Sequence, residues 1–416
     1  LFSILLVSSL GGVFSGMPKS YFAVLVGALG YFVDLYDIVI FNIFRVESLK
    51  ELGLNEQEVL SIGANILNAQ LIGLLLGGFF FGFLGDRFGR KTSLFLTIFT
   101  YSLTTFLCGF IKDPLIYLIL RFICGFALAG ELGVAVTLVA EQFPPKSRGW
   151  AATILTAFGI SGVIFASLVG KYIYWRYGYF LGGIMGFALL LLRLSVNESE
   201  TFLKAKTVEQ RGNIILFFSA WERAKRFLVL VWLGAPVWIV VGVMASFSYE
   251  ISKSLGFGPV LVPTATLFTY LGITIGDFFW GAMSQILKSR KKAIFISLLS
   301  VVIISAGLLI SPPSSEAGYL ILLFLLGVAA TNWVVVITTC AETVGTNFRA
   351  LATTSLPNFI RASAVIFIEI FKNTASLSIS KLLVPSICLL SVSLLGLFLL
   401  RLIPETYGKE LEFLES

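Results

Sequence analysis

Apolar and polar positions alternate along this chain on a long scale: extended uncharged runs are separated by short charged turns. Apolar stretches of helix length fall at 21–44, 58–84, 92–111, 115–140, 150–170 and 178–195. A polar stretch follows, and six more apolar runs come at 226–247, 262–285, 292–311, 317–340, 352–371 and 380–403. About 20 apolar residues in a helix match the ~30 Å hydrocarbon core of a bilayer, so the pattern predicts twelve transmembrane helices. The predicted organisation is an N-terminal segment over 1–20, a six-helix half over 21–195 and a linker over 196–225. A second six-helix half covers 226–403, and a tail covers 404–416. Residues 1–16 are apolar but short for a span and lack the basic start of a signal peptide; Met17 reads as a natural start.

The halves repeat. FRVESLKELGL from Phe44 matches FSYEISKSLGF from Phe247, and GLLLGGFFFG from Gly73 matches GITIGDFFWG from Gly272. AEQFPPKSRGWAAT from Ala140 matches AETVGTNFRALATT from Ala341. The pairs occur in one order at a near-constant offset, which predicts a six-plus-six parallel repeat of an all-α membrane protein with pseudo-symmetric halves.

Composition narrows the function classes. Hydrophobic residues are 57% and charged residues 13%, which excludes an ordinary soluble domain. The basic excess (Lys+Arg 30, Asp+Glu 23) follows the loops and implies no nucleic acid. Its concentration in alternate loops predicts that both termini are cytoplasmic; the expected location is a bacterial inner membrane. The four cysteines lie inside apolar runs without metal spacing. No metal, cofactor or nucleotide-binding loop is indicated, and no enzyme chemistry. With no histidine in the chain, a proton-carrying site must use Asp or Glu.

Between the second and third runs the chain reads Gly82-Phe-Leu-Gly-Asp86-Arg87-Phe-Gly89-Arg90-Lys91. Gly78, Gly82 and Asp86 share one helix face, where glycines admit a close neighbour. This turn resembles the loop 2–3 signature of the major facilitator superfamily. LRLIPETYGKELE from Leu400 resembles the tail of its sugar-porter-like members. RFICGFALAGELGVAVTLVAEQFPPKSRG resembles the fourth helices of its metabolite–proton symporters and sugar porters, on Arg121, Gly125, Gly130, Glu131, Glu141, Pro144, Arg148 and Gly149. The resemblance implies alternating access, with the loop residues and the Glu141, Arg148, Glu342 and Arg349 set as a gating network.

Charged groups inside the runs are the candidate chemistry, because a charge at membrane depth is expensive unless it serves a site. Asp34 and Asp37 lie in the first run and Arg121 in the fourth. The resemblance implies that Asp37 pairs with Arg121 and carries the coupled proton, with Asp34 and Glu131 as further candidates. A permanent structural ion pair is the competing reading. Arg361, the one basic residue within a second-half run, suits a carboxylate or phosphate of the substrate, or else pairs with Glu369 or with one of the acids of the first half. Asp277 is expected at a gate or contact between the halves. Asn65, Asn68, Gln70, Asn332, Asn358 and Trp333 are expected to line the substrate path, with Trp238 and Trp280 as weaker candidates. The expected function is proton symport of a small organic solute, foremost a carboxylate-bearing metabolite, by a chain acting as a monomer in the lipid bilayer. A sugar or polyol porter, an exporter of drugs or metal chelates, and a non-transporting nutrient sensor are the alternatives.

Overall fold

The structure is a computed structural model and describes residues 19–88, 90–130, 148–194, 214–375 and 381–408. Among the described residues every regular element is helical. In chain order these are α1 (Lys19–Glu51), α2 (Glu56–Phe88), α3 (Arg90–Cys108), α4 (Pro114–Leu128), α5 (Arg148–Tyr172) and α6 (Trp175–Leu194). A short α7 (Ile214–Ser219) then leads into α8 (Trp221–Ile239), which continues as a π-helical segment Val240–Ala245. The second half goes on through α9 (Ser248–Ser254), α10 (Val262–Ile286), α11 (Arg290–Ile310), α12 (Glu316–Ala330), α13 (Trp333–Thr343), α14 (Thr346–Thr374) and α15 (Leu383–Leu399).

Eight of these segments are long and apolar enough to span a bilayer, with α12 and α13 together forming one of them. Three shorter apolar helices, Ser93–Cys108, Pro114–Leu128 and Phe158–Tyr172, and the more polar α10 complete the twelve spans. Helix α1 runs seven residues past the expected end of its span, so Arg45 lies inside a helix and not in a loop. The seventh span begins at Trp221, within the stretch expected to be linker.

The repeat seen in sequence is a repeat of packing. α2 packs on α4 as α10 packs on α12; α1 packs on α5 as α8 packs on α14; α3 packs on α6 as α11 packs on α15. The halves meet along α2 with α14 and α5 with α10, two symmetric seams. Gly73 and Gly272 show why glycine recurs: a Cβ there would lie 2.3 Å from the Phe122 carbonyl oxygen and 2.2 Å from that of Phe324. In a membrane, where apolar lipid gives helices little hydrophobic drive to associate, such close backbone approach supplies much of the cohesion. Gly53 and Gly256 are paired too, both ending helices at φ +87°, a conformation open to glycine. Large apolar side chains such as Leu76, Phe99, Ile303 and Phe398 remain exposed on the bundle surface, where lipid would cover them.

Candidate functional site

Three helices lose regularity at one level of the second half. Pro236 sits inside α8 and is followed by the π segment, which shifts the backbone hydrogen-bond register. α12 stops at Ala330 and α13 starts at Trp333, leaving Thr331 and Asn332 as a break; the Asn332 amide donates to the Leu233 carbonyl (3.2 Å). α14 carries Pro357 one turn before Arg361. Irregular backbone at membrane depth is tolerated where it borders a cavity, and interrupted helices mark binding sites in transporters.

The cavity is there. Its walls are Trp238 and Val241 at the α8 break, Tyr270 and Asp277 on α10, Thr331 and Trp333 at the α12–α13 break, and Arg361 on α14. The first half contributes Tyr31, Leu35 and Ile160. Arg361 is only 4% exposed, and its Nε has no hydrogen-bond partner. Its Nη1 makes a long contact to Asn358 Oδ1 (3.4 Å), and its guanidinium carbon lies 6.0 Å and 5.9 Å from the Trp238 and Trp333 ring centres. Tyr31 stands beside Arg361 and within electrostatic reach of Asp277 and Asp34. Asp277 accepts a hydrogen bond from the Thr331 hydroxyl (2.9 Å). A buried guanidinium between aromatic faces, with an unused donor, is built to take an anionic group attached to a flat or apolar body.

The first half holds its charges differently. Arg121 is fully buried and donates from Nη2 to the backbone carbonyl of Asp37 (2.6 Å) and from Nε to Gln70 Oε1 (3.2 Å); Gln70 in turn donates to the Ile38 carbonyl (3.0 Å). Asp37 and Arg121 are thus neighbours, joined through the Asp37 main chain. Asp34 and Asp37 are both buried.

At the end of the bundle where α1 gives way to α2, the far end, polar pairs join the halves. Arg45 Nη2 donates to Glu250 Oε2 (2.7 Å) and the Ser246 carbonyl (3.0 Å), while Nη1 reaches the Val59 carbonyl (3.2 Å). Asn68 donates to Glu369 (2.7 Å), Lys372 donates to Asn65 (2.8 Å), and Lys253 pairs with Glu56 (2.6 Å). Asn65 and Asn68 therefore stand in this inter-half network, outside the cavity wall. Glu369, the alternative partner for Arg361, is engaged by Asn68 and Lys372. Arg45 and Glu250 escaped sequence reasoning because they read as ordinary loop charges; the signal was their position flush against apolar runs.

At the opposite end Glu405 of the PET motif seats on the start of α11. Its carboxylate accepts from the Ser289 hydroxyl and from the N–H groups of Arg290 (2.9 Å) and Lys291 (3.4 Å). Burial alone would push Glu405 up, but the Ser289 hydroxyl and the N–H groups of Tyr407, Arg290 and Thr406 outweigh it and hold the carboxyl below its usual range. Glu342 pairs with Arg290 (3.0 Å) and accepts from Thr406 (2.6 Å), so its contacts stay inside the second half.

Of the remaining expected residues, Trp333 and Asp277 line the cavity, Asn332 and Asn358 border it, and Trp280 turns away to donate to the Val328 carbonyl (2.8 Å). Gly89, Glu131 and Glu141 lie outside the described residues. Gly82, Asp86 and Arg87 fall at the end of α2, Arg90 and Lys91 open α3, Arg148 opens α5, and Arg349 lies in the first turn of α14; for these the description stops at the backbone. Tyr31, Tyr270 and Ile160 were not anticipated, since nothing in their local sequence separates them from packed core.

Comparison with known proteins agrees with this architecture. The Major Facilitator Superfamily profile matches residues 27–368. The sialic acid transporter NanX of Escherichia coli (strain K12) is 27% identical over 311 residues, 73% of this chain and 74% of that one. The niacin transporter NiaP of Acinetobacter baylyi is 35% identical over 182 residues; that match spans 42% of this chain and 40% of the relative. The solved D-xylose–proton symporter superimposes with TM-score 0.73 at 18% identity, covering 94% of this chain and all of that one, a likeness of fold. The chain belongs to the Major Facilitator Superfamily, a family of multi-pass membrane transporters and not of enzymes.

Proposed function

We propose that this protein is a secondary transporter that carries a small organic acid with a flat, ring-like body across the membrane, by alternating access and proton symport. The observation that carries the reading is Arg361: a guanidinium 4% exposed, set between two tryptophans in a central cavity, with Nε unpartnered. An isolated buried charge is tolerated poorly, so a site that keeps one ready is poised for a counter-charge that arrives and leaves. The relatives named above for niacin and sialic acid handle carboxylic acids, which supports the assignment. Proton coupling is supported by the buried carboxyls Asp34, Asp37 and Asp277 in a chain without histidine. The far end is taken as the outer face, with both termini cytoplasmic, from the distribution of loop charge. In that orientation the joined halves make this the outward-closed state of a carrier acting as a monomer.

A ligand that binds the native state raises its apparent stability, so a melting screen tests the reading. Nicotinate, gentisate and N-acetylneuraminate are compared with D-xylose on purified protein. One of the acids is expected to raise Tm, and Arg361→Lys is expected to weaken its binding roughly 10- to 100-fold, the scale of about 1.5–3 kcal/mol for a charge-assisted bond. A shift with D-xylose alone, unchanged in Arg361→Ala, would establish the sugar-porter alternative instead.

A further inference from the structure

Asp277 is a buried carboxyl for which organic-acid binding has no use. It lies in the wall of the same cavity as Arg361, 9% exposed, and its carboxyl accepts from the Thr331 hydroxyl and the Val334 backbone N–H. Among the described residues no lysine or arginine nitrogen lies within ion-pair distance of it. Its surroundings can be named element by element. α1 contributes Tyr31 and, beyond it, Asp34; α14 contributes Arg361; α10 itself adds Tyr270. The α12–α13 break offers Thr331 and Trp333, α5 offers Ile160, and the α8 segment offers Trp238, none of them titratable. The charges of α11 and α13 that follow, Arg290 and Glu342, are committed to each other at the bundle end.

We propose that Asp277 is the proton-binding carboxyl of this carrier, loaded and emptied from the same cavity in which Arg361 takes the substrate anion. The inference rests on the transport reading above and adds the site where the proton travels. Charge balance supplies the coupling. With the cavity empty, Arg361 carries +1 and ionised Asp277 carries −1. With substrate bound, the anion neutralises Arg361, and a proton taken from water on one side converts Asp277 to the neutral acid. Both forms are net neutral. Substrate without the proton leaves −1, and the proton without substrate leaves +1, and a closed, poorly hydrated cavity disfavours either. Only the empty and the doubly loaded carrier then change orientation. On the other side the proton returns from Asp277 to water as the anion leaves. The step is electroneutral, one proton with one monoanion. The cost of approach between the two sites is mutual: the bound anion favours protonation of Asp277, and by linkage the proton favours the anion.

The test uses the full chain in liposomes with labelled nicotinate. For the parent protein a one-unit pH step, acid outside, supports accumulation up to about tenfold, the equivalent of 1.36 kcal/mol. In Asp277→Asn, where the amide imitates the protonated acid, the accumulation ratio is expected to fall to one while exchange at equal pH remains measurable. Asp277→Glu is expected to retain gradient-driven uptake and so guards against a folding defect in the first variant. A substrate-free measurement runs in parallel: the infrared C=O band of a protonated carboxyl, expected to grow in the parent as pH is lowered and to lose that component in Asp277→Asn. If the parent does not move nicotinate, the substrate reading fails and the infrared band alone decides the proton site. Undiminished accumulation by Asp277→Asn, an unchanged band, or collapse of the ratio in Asp37→Asn but not in Asp277→Asn would each overturn the proposal.

Discussion

The ion pair of Arg45 and Glu250 offers the sharpest test of how the halves are held. Its two side chains come from opposite halves, are almost fully buried, and meet at 2.7 Å, with the Ser246 and Val59 carbonyls accepting further hydrogen bonds from the guanidinium. Glu250→Gln keeps the shape but leaves the Arg45 charge buried without its counter-charge. Breaking such a pair from one side costs about 2–5 kcal/mol in the state that buries it. When the far end opens, water solvates the guanidinium, so the penalty falls mainly on the closed state. At about 3 kcal/mol the closed-to-open ratio shifts roughly 150-fold. Spin labels at Gln57 and Ser254, exposed positions on opposite walls of the far-end cleft, report the opening. The parent is expected to give one short distance, and Glu250→Gln a dominant longer one. Replacing both partners by apolar residues of similar size, Arg45→Met with Glu250→Leu, removes the stranded charge and is expected to restore the short distance. If the single substitution leaves the distance distribution as in the parent, the pair does not hold the far end shut.

Two further outcomes follow from the packing and the chain end. Gly73→Ala and Gly272→Ala force a Cβ against a backbone oxygen and are expected to lower stability by about 1–3 kcal/mol each. Gly307→Ala, with nothing within 4 Å of the new carbon, is expected to leave Tm unchanged or raised; equal melting of all three would remove the close-approach argument. Glu405 is held below its usual range, so its contribution is full above the unfolded-state carboxyl pKa of about 4.3 and is lost as pH falls through the lower folded value. The parent's Tm is therefore expected to drop more steeply than that of Glu405→Gln between about pH 5 and pH 3, and parallel slopes would contradict it.

Twelve spans, two halves and the repeat were legible because each is written in long-range pattern: apolar length, glycine spacing and the offset between matching segments. Gly73 with Gly272 and Gly53 with Gly256 occupy equivalent backbone environments, as the aligned strings require. Arg361 was legible too, since an arginine inside a span has few bland explanations. Less was visible where chemistry depends on which face a helix turns. Asn65 and Asn68 look like cavity amides in sequence, yet one helical turn places them against Lys372 and Glu369 at the far end. Tyr31 and Tyr270 are two among many aromatic residues in apolar runs, and only the convergence of α1, α10 and α14 distinguishes them. Helix length misled at Arg45, because a charge following an apolar run reads as a loop residue until the helix is seen to continue to Glu51.

The repeat also shows where function departs from scaffold. Asp277 occupies the position that the aligned strings give to Gly78, and Arg361 the position of Ile160. A Cβ at Gly78 would meet the Asn358 amide nitrogen at 2.9 Å across the seam of α2 and α14, so a side chain at that place in the first half would have to displace the Asn358 amide. At the symmetric seam of α5 and α10, the chain carries the acid and keeps a cavity beside it. Interruption follows the same division. Pro236, the π segment, the Thr331–Asn332 break and Pro357 all lie in the second half, while α1 and α2 are each continuous over 33 residues. Regular helices transmit a rigid-body rotation, whereas broken ones can bend locally around a bound ion or solute. The described parts of the two halves therefore differ in build: the first is a continuous frame stiffened by Arg121, Gln70 and the Asp37 main chain, and the second carries Arg361 and its neighbouring carboxyl Asp277 on helices able to yield.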